Sequence, residues 1–115
     1  MSDSVGPLDS WYFIRCDDEK MVLDVRTADP WLVEIRWDEI ERVCLIPGDF
    51  LMTDEVYVFV RGRANSYVVP LDAHGGAELM GAMPASVCPY ELRIAFATGD
   101  PGQQFWWPPI EEQEG

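Results

Sequence analysis

The sequence has few positive charges. It contains 8 Lys and Arg residues and one His against 21 Asp and Glu, which gives a formal net charge of −13. A surface this negative repels the phosphates of nucleic acids and the anionic headgroups of membrane lipids. The composition therefore argues against nucleic-acid-binding and membrane-surface proteins. It fits either plain solubility or a protein partner with a basic face.

Cysteine is scarce, and long apolar runs are absent. The three cysteines, Cys16, Cys44 and Cys88, are odd in number and form no Cys-x-x-Cys pair, which argues against a secreted disulfide scaffold. No apolar run approaches the roughly 18 residues that span a bilayer. The first residues also lack the basic and apolar regions of a signal peptide. We therefore expect a reduced, cytoplasmic location.

Apolar and aromatic residues are plentiful. Hydrophobic residues make up 48% of the 115 positions, with five Trp, five Phe and four Tyr. This is enough apolar material for a folded core and argues against a disordered chain. The length predicts a single domain, 1–115. Residues 1–10 and 110–115 are polar or acidic, and we expect them to be loose ends.

Strand patterns dominate the chain. Residues 55–61 carry apolar side chains on both faces, which is typical of a central strand. Residues 31–37 alternate, as in a half-buried strand. Residues 90–97 alternate too, with Leu92, Ile94 and Phe96 expected to face inward. The patterns predict about seven antiparallel strands in a bent sheet or partial barrel.

One segment fits a helix. Leu79, Met80 and Met83 fall at the three-to-four spacing of a helical face, so we expect one short helix near residues 74–83. Residues 38–42 could form a single helical turn or a bent continuation of the preceding strand. The expected fold class is therefore α+β, mainly β.

No motif for catalysis, a cofactor or a metal rises above background. His74, the one histidine, precedes two glycines, but no Lys or Arg lies nearby to complete an anion site. Asp17, Asp18 and Glu19 form an acidic cluster that does not match a Ca²⁺-binding loop. We therefore expect no cofactor and no metal, and we expect the protein not to be an enzyme.

The adjacent Trp106 and Trp107 are a candidate contact point. Neighbouring residues in a strand face opposite ways, so one of the two indoles should be exposed or covered by another chain. Exposed Trp is common at protein interfaces. Phe50, an apolar residue within a loop, is a second candidate anchor.

Residues 33–47 carry an apolar-x-Trp-x-x-Ile-x-x-apolar pattern, formed by Ile35, Trp37, Ile40 and Val43. This stretch, followed by a hairpin and a helix, resembles small bacterial pleckstrin-homology-like (PH-like) domains. The resemblance implies a PH-like barrel and a non-enzymatic binding module. In that family a helix normally closes the barrel, whereas here a strand-like segment and an aromatic segment follow it. Size, acidity and aromatic content are also similar to bacterial immunity proteins, which present carboxylates to basic toxins.

The first hypothesis is a non-catalytic, acidic protein-binding module for a basic partner, with immunity-type neutralisation as its sharper form. The expected contact residues are Asp38, Glu39, Glu41, Phe50, Asp54, Glu55, Trp106 and Trp107. The second hypothesis is a homo-oligomeric structural domain, such as a homodimer, that pairs through the C-terminal aromatic segment. The third is a small-ligand binder or enzyme that uses the barrel mouth.

Overall fold

The computed structural model describes residues 8–49 and 53–109. These residues form an α+β fold that is mainly β, as expected, with seven strands and two α-helices. The elements are β1 (Tyr12–Cys16), β2 (Lys20–Val25), β3 (Trp31–Arg36), β4 (Ile40–Ile46), β5 (Glu55–Val60), β6 (Tyr67–Pro70), α1 (Gly76–Ala82), α2 (Tyr90–Ala97) and β7 (Phe105–Trp107). None of the helices in this part of the chain is long and apolar enough to cross a membrane.

The strands are antiparallel, as expected, but they form two sheets, whereas we expected one bent sheet or partial barrel. Sheet A has the order β1-β2-β3, and sheet B has the order β6-β5-β4-β7. Within the described ranges no closed barrel results. Strand β5 lies inside sheet B between β6 and β4, so the prediction of a central strand is confirmed.

Trp37 marks the corner where the chain passes from sheet A to sheet B. A 3₁₀ turn, Trp37–Glu39, separates β3 from β4, which decides between the two conformations that the sequence allowed. The Trp37 backbone N–H donates to the Glu19 carbonyl (3.0 Å), and its indole Nε1 donates to the Asp17 carbonyl (2.9 Å). The turn between β1 and β2, which contains Asp17 and Glu19, therefore fixes the corner through these two hydrogen bonds.

The core lies between the two sheets. Fully buried side chains come from both of them, including Leu23 and Ile35 of sheet A and Val43, Leu45 and Val56 of sheet B. Each helix adds a buried side chain, Leu79 from α1 and Phe96 from α2. Burying a side chain of this kind contributes about 1.5–3 kcal/mol.

The segment between β6 and α1 closes the free edge of β1. The Ile14 N–H donates to the His74 carbonyl (2.7 Å), and the His74 N–H donates to the Tyr12 carbonyl (2.9 Å). The Tyr12 hydroxyl also donates to the Val68 carbonyl (2.8 Å). These bonds join sheet A to sheet B on the side opposite the Trp37 corner.

Residues 90–97 form the helix α2, so the prediction of a strand there is wrong. Leu92 and Phe96 are four residues apart, and this spacing satisfies both a two-residue and a 3.6-residue period. Ile94 distinguishes the two, because it would be buried in the predicted strand but is 48% exposed on the helix. Pro89 precedes the first turn, and Glu, Leu, Arg and Ala are good helix formers.

The expected short helix near residues 74–83 is α1, which spans Gly76–Ala82. His74 precedes it and is held in an extended bridge to β1. At the N-terminal side, Leu8–Ser10 form a 3₁₀ turn, and the half-buried Leu8 packs against the core. The rest of the expected loose ends, 1–7 and 110–115, lies outside the described residues.

We expect Gly75→Ala to destabilise the protein by about 3 kcal/mol, from a left-handed φ and from overpacking. Gly75 has φ +90°, and a β-carbon there would overlap the Ile14 carbonyl oxygen. Gly62→Ala is the matched control, because φ is +80° there but the added carbon meets open space. Urea unfolding of both variants measures the difference, and equal losses would contradict the close approach at Gly75.

Candidate functional site

The acidic residues that we expected to form one contact surface lie in two places. Asp38 and Glu39 are in the corner turn, and Glu41 follows at the start of β4. Asp54 and Glu55 lie at the opposite end of the same ladder, where Glu55 pairs with Ile46. Six residues of strand separate Ile40 from Ile46, about 20 Å at 3.3 Å per residue. A small partner that contacts Asp38, Glu39 and Glu41 would therefore not reach Asp54 and Glu55 as well.

Most of these carboxylates organise their own turns. The Glu39 Oε1 accepts the Arg36 backbone N–H (3.2 Å), and the Asp38 Oδ1 accepts the Arg36 Nε (3.3 Å). The Asp54 Oδ1 accepts the Gly48 N–H (2.7 Å). Glu41 is exposed. Its carboxylate is therefore accessible to a partner.

The Glu55 carboxylate is hydrogen-bonded by the nearby Tyr57. The Tyr57 hydroxyl donates to the Glu55 Oε1 (3.2 Å). The negative charge of Glu55 is the main reason why the pKa of Tyr57 is raised. Phe50, an expected apolar anchor, lies outside the described residues.

Trp106 lies on the outer face of sheet B. It pairs with Cys44 in the β4–β7 ladder, and its ring centre is 5.7 Å from that of Phe59. Glu41, Arg42, Phe59 and Trp106 line an open hollow of about 400 Å³. The structure thus brings together two of the predicted contact residues, Glu41 and Trp106.

Trp107 faces the other way, toward the core. It pairs with the fully buried Val43 and packs against the core cluster. Its indole Nε1 donates to the Ser86 carbonyl (3.2 Å). Both indoles are half-buried, so the two differ in the face they occupy and not in their exposure.

An apolar groove runs between α2 and β7. It has a volume of about 410 Å³, and it is lined by Pro89, Glu91, Leu92, Ala95, Trp106, Trp107 and Pro109. Tyr90 is 71% exposed and Ile94 is 48% exposed, but neither lines the groove. They lie on the outer side of α2, and the charged Glu91 lies between Ile94 and the groove.

We call the two hollows on either side of Trp106 the Trp106 surface and define it by Glu41, Phe59, Leu92 and Trp106. The sequence analysis placed Glu41 and Trp106 in it but missed the contribution of α2. A helix beginning after Pro89 would have placed Leu92 and Ala95, three residues apart, on the same face.

A second groove lies between β1 and α1. It has a volume of about 870 Å³ and holds the only histidine beside one cysteine; its polar lining is Asp9, Arg15, Cys16, Asp72, His74 and Glu78. Asp72, His74 and Glu78 are exposed, and no charged residue in the described part of the chain is buried. The groove therefore lacks the buried carboxylate that would support the ligand-binding or enzymatic hypothesis.

The surroundings of the cysteines do not activate their thiols. Burial, followed by the negative charges of Asp17 and Glu78, raises the pKa of Cys16 to about 11. Burial also raises the pKa of Cys44 and of Cys88. A nucleophilic cysteine needs the opposite shift, toward the thiolate. Residues 8–49 and 53–109 likewise contain no group of three or more His, Cys, Asp or Glu placed to hold a metal ion.

Comparison of the chain with protein-family models, with curated proteins and with solved structures finds no match. The resemblance to PH-like domains and the similarity to immunity proteins therefore remain predictions from the sequence.

We expect Cys16 to alkylate slowly near neutral pH. With a folded pKa of about 11, the thiolate population, and with it the rate, should rise about tenfold per pH unit between about pH 8 and 10. Iodoacetamide labelling followed by mass spectrometry of the Cys16 peptide measures the rate. The control is the urea-unfolded chain, whose rate should level off above about pH 8.5. If the alkylation rate of Cys16 in the folded protein also levelled off above about pH 8.5, it would contradict the raised pKa.

Proposed function

We propose that this chain is a non-catalytic protein-binding module that uses the Trp106 surface to bind a partner with a basic face. The observation that carries the proposal is the position of Trp106. Its indole lines both open hollows, one with Phe59 and Glu41 and one with Leu92. Interface hot spots are commonly a large aromatic side chain at the centre of an apolar patch with a polar rim.

The rim of this surface is acidic. Glu41 and Glu91 are both exposed and line the two hollows on either side of Trp106. The nearby cation, Arg42, donates its Nε to the Pro108 carbonyl (3.0 Å) and so holds the end of β7 in place. Together with the net charge of −13, the rim favours a basic partner and fast, salt-dependent association.

The shape of the surface favours a protein over a small ligand. Small-molecule sites are enclosed and bury most of the ligand, whereas both hollows here are open and share a single side chain. Neutralisation of a basic toxin is the sharper form of this proposal. It is supported by the acidity and the aromatic content alone.

Pairing of two copies through β7 has less support. The strand lies at the edge of sheet B, which favours pairing, but it has 3 residues and is followed by Pro108 and Pro109. Proline has no backbone N–H to extend a ladder. The homo-oligomer of the second hypothesis therefore needs a contact other than strand pairing at this position.

The first test is affinity capture by the immobilised full chain from its native cytoplasm at low salt, with elution by a salt step. We expect a basic protein to be released by salt. Trp106→Ala should weaken its binding at least about thirtyfold, the size of a 2 kcal/mol hot spot. Val68→Ala is the matched control, because Val68 is 40% exposed on the strand at the opposite edge of sheet B.

Capture alone does not support the proposal unless Trp106→Ala reduces it and Val68→Ala leaves it unchanged. Thermal unfolding of both variants checks that the fold is intact. If a folded Trp106→Ala protein binds as well as the wild type, the Trp106 surface is not the binding site.

Charge reversal tests the acidic rim separately. The double variant Glu41→Lys with Glu91→Lys should associate roughly tenfold more slowly at low salt and lose part of its salt dependence, because electrostatic steering acts on the association rate. The control is Asp72→Lys with Glu78→Lys, which makes the same charge change in the groove beside α1. Stopped-flow or surface-plasmon kinetics with the captured partner give the rates. Slower association of the control alone would point to that groove as the binding site.

A further inference from the structure

Within residues 8–49 and 53–109, no strand pairs with the outer edge of β3 in sheet A. The strand has 6 residues, and most of its side chains are exposed. Trp31 is 41% exposed and Leu32 is 57% exposed. Natural proteins protect such an edge with charged side chains, a proline, a bulge or a covering segment. Strand β3 carries the charged Glu34 and Arg36, but it contains no proline and pairs without a bulge.

The hydrogen-bond alternation shows which backbone groups point outward. The Trp37 N–H donates to the Glu19 carbonyl, so Trp37 and the residues two and four before it bond toward β2. Leu32, Glu34 and Arg36 therefore direct their backbone groups away from the sheet. The Arg36 N–H already donates to the Glu39 Oε1 (3.2 Å). Within the described residues, four outward backbone groups of β3 are left for pairing with a further strand: the N–H and C=O of Leu32 and of Glu34.

The other strand edges in the described part of the chain are protected. The edge of β1 bonds to the His74 backbone. The edge of β6 has its Val68 carbonyl bonded by the Tyr12 hydroxyl, and it ends at Pro70, which has no N–H to donate. Strand β7 is short and is followed by two prolines.

The outer face of sheet A, which ends at β3, carries more cations than carboxylates on its strands. The outer face of sheet A carries Arg15, Lys20, Arg26 and Arg36, half of the 8 Lys and Arg residues. Two acidic residues, Asp24 and Glu34, share this face and are paired with Arg26 (2.8 Å) and Lys20 (3.1 Å). A chain with a net charge of −13 can approach its own copy with reduced repulsion here.

We propose that β3 pairs antiparallel with β3 of a second copy of this chain, with the two-fold axis at Val33. In this register Leu32 of each copy lies opposite Glu34 of the other, and all four outward backbone groups of each copy are bonded. The apolar contact at the axis is Val33 against Val33. Ile35, which lies opposite Trp31 in this register, is fully buried within its own copy, and Trp31 packs against Tyr12 and Tyr67 of its own chain.

The neighbouring register, centred on Glu34, is disfavoured. It places Glu34 opposite Glu34, and like charges at directly opposed positions are destabilising. It also needs the Arg36 N–H, which is already bonded within the chain. The pairing centred on Val33 uses the open edge of both copies, so the assembly closes as a dimer with a six-stranded sheet.

Sedimentation velocity of the full chain over a concentration series tests the proposal. We expect a monomer–dimer equilibrium that tightens as salt is added, because salt screens the repulsion between two negative chains. Glu34→Pro removes an outward N–H but no bond of the β2–β3 ladder. It should weaken the dimer about thirtyfold, since two hydrogen bonds are lost across the two-fold axis. Glu34→Gln removes the charge but keeps the N–H, so it should dimerise like the wild type.

A disulfide reports the register. In a non-hydrogen-bonded antiparallel pair the α-carbons are about 4.5 Å apart, within disulfide range. Val33→Cys should therefore form a covalent dimer under mild oxidation. Leu32→Cys should not, because the two Leu32 α-carbons would lie roughly 8 Å apart. The wild type controls for the native cysteines, and Trp106→Ala should leave the dimer intact.

Three results would overturn the proposal. The first is a wild-type chain that stays monomeric up to roughly 1 mM, the weak limit of specific association. The second is a dimer that persists in Glu34→Pro, or that cross-links through Leu32→Cys and not through Val33→Cys. The third is a dimer that Trp106→Ala abolishes, which would assign self-association to the C-terminal aromatic segment.

Discussion

The two sheets depend on one side chain, Trp37, at the corner between them. Its backbone and indole donors both bond to carbonyls of the sheet A hairpin, and the side chain is 6% exposed. A tryptophan suits this position because it combines a large apolar body with one N–H donor. A residue without that donor would leave the Asp17 carbonyl unbonded at the corner. Both the packing of the sheets and the position of Asp38 and Glu39 follow from this anchor.

The arginines are used differently on the two sheets. On sheet A, the guanidinium groups of Arg15 and Arg26 pair with Asp24 and hold its pKa below the usual range, mainly through Arg26. Around sheet B, Arg42 and Arg61 donate to backbone carbonyls. The cations of sheet A therefore neutralise carboxylates on their own face, whereas those of sheet B fix loops and leave carboxylates such as Glu41 uncompensated. The carboxylates Asp24 and Glu34 on the strands of sheet A are therefore paired with cations.

The sequence predicted the fold class and the strands with an unambiguous period, such as the central strand β5. It failed where two periods coincide. Leu92 and Phe96 satisfy both a strand and a helix, and only the packing of α2 on the core decides between them. The candidate site was predictable in part: Trp106 followed from strand alternation, whereas the side of the groove formed by Leu92 and Ala95 did not, because it depends on the helix. The division into two sheets could not be predicted either, because it rests on the hydrogen bonds that Trp37 makes with residues about twenty positions earlier in the chain.

The two proposed surfaces lie on different sheets and should respond to salt in opposite ways. Salt weakens the attraction between the acidic rim of the Trp106 surface and a basic partner, and so it weakens partner binding. Salt also weakens the repulsion between two like-charged copies of the chain, and so it favours the dimer. Long-range charge would thus favour partner binding at low ionic strength and self-association at high ionic strength. Because β3 and β7 belong to separate sheets, neither contact needs residues of the other. A dimer could therefore present two Trp106 surfaces to the same partner, and joined binding sites of this kind raise the effective affinity without any new contact.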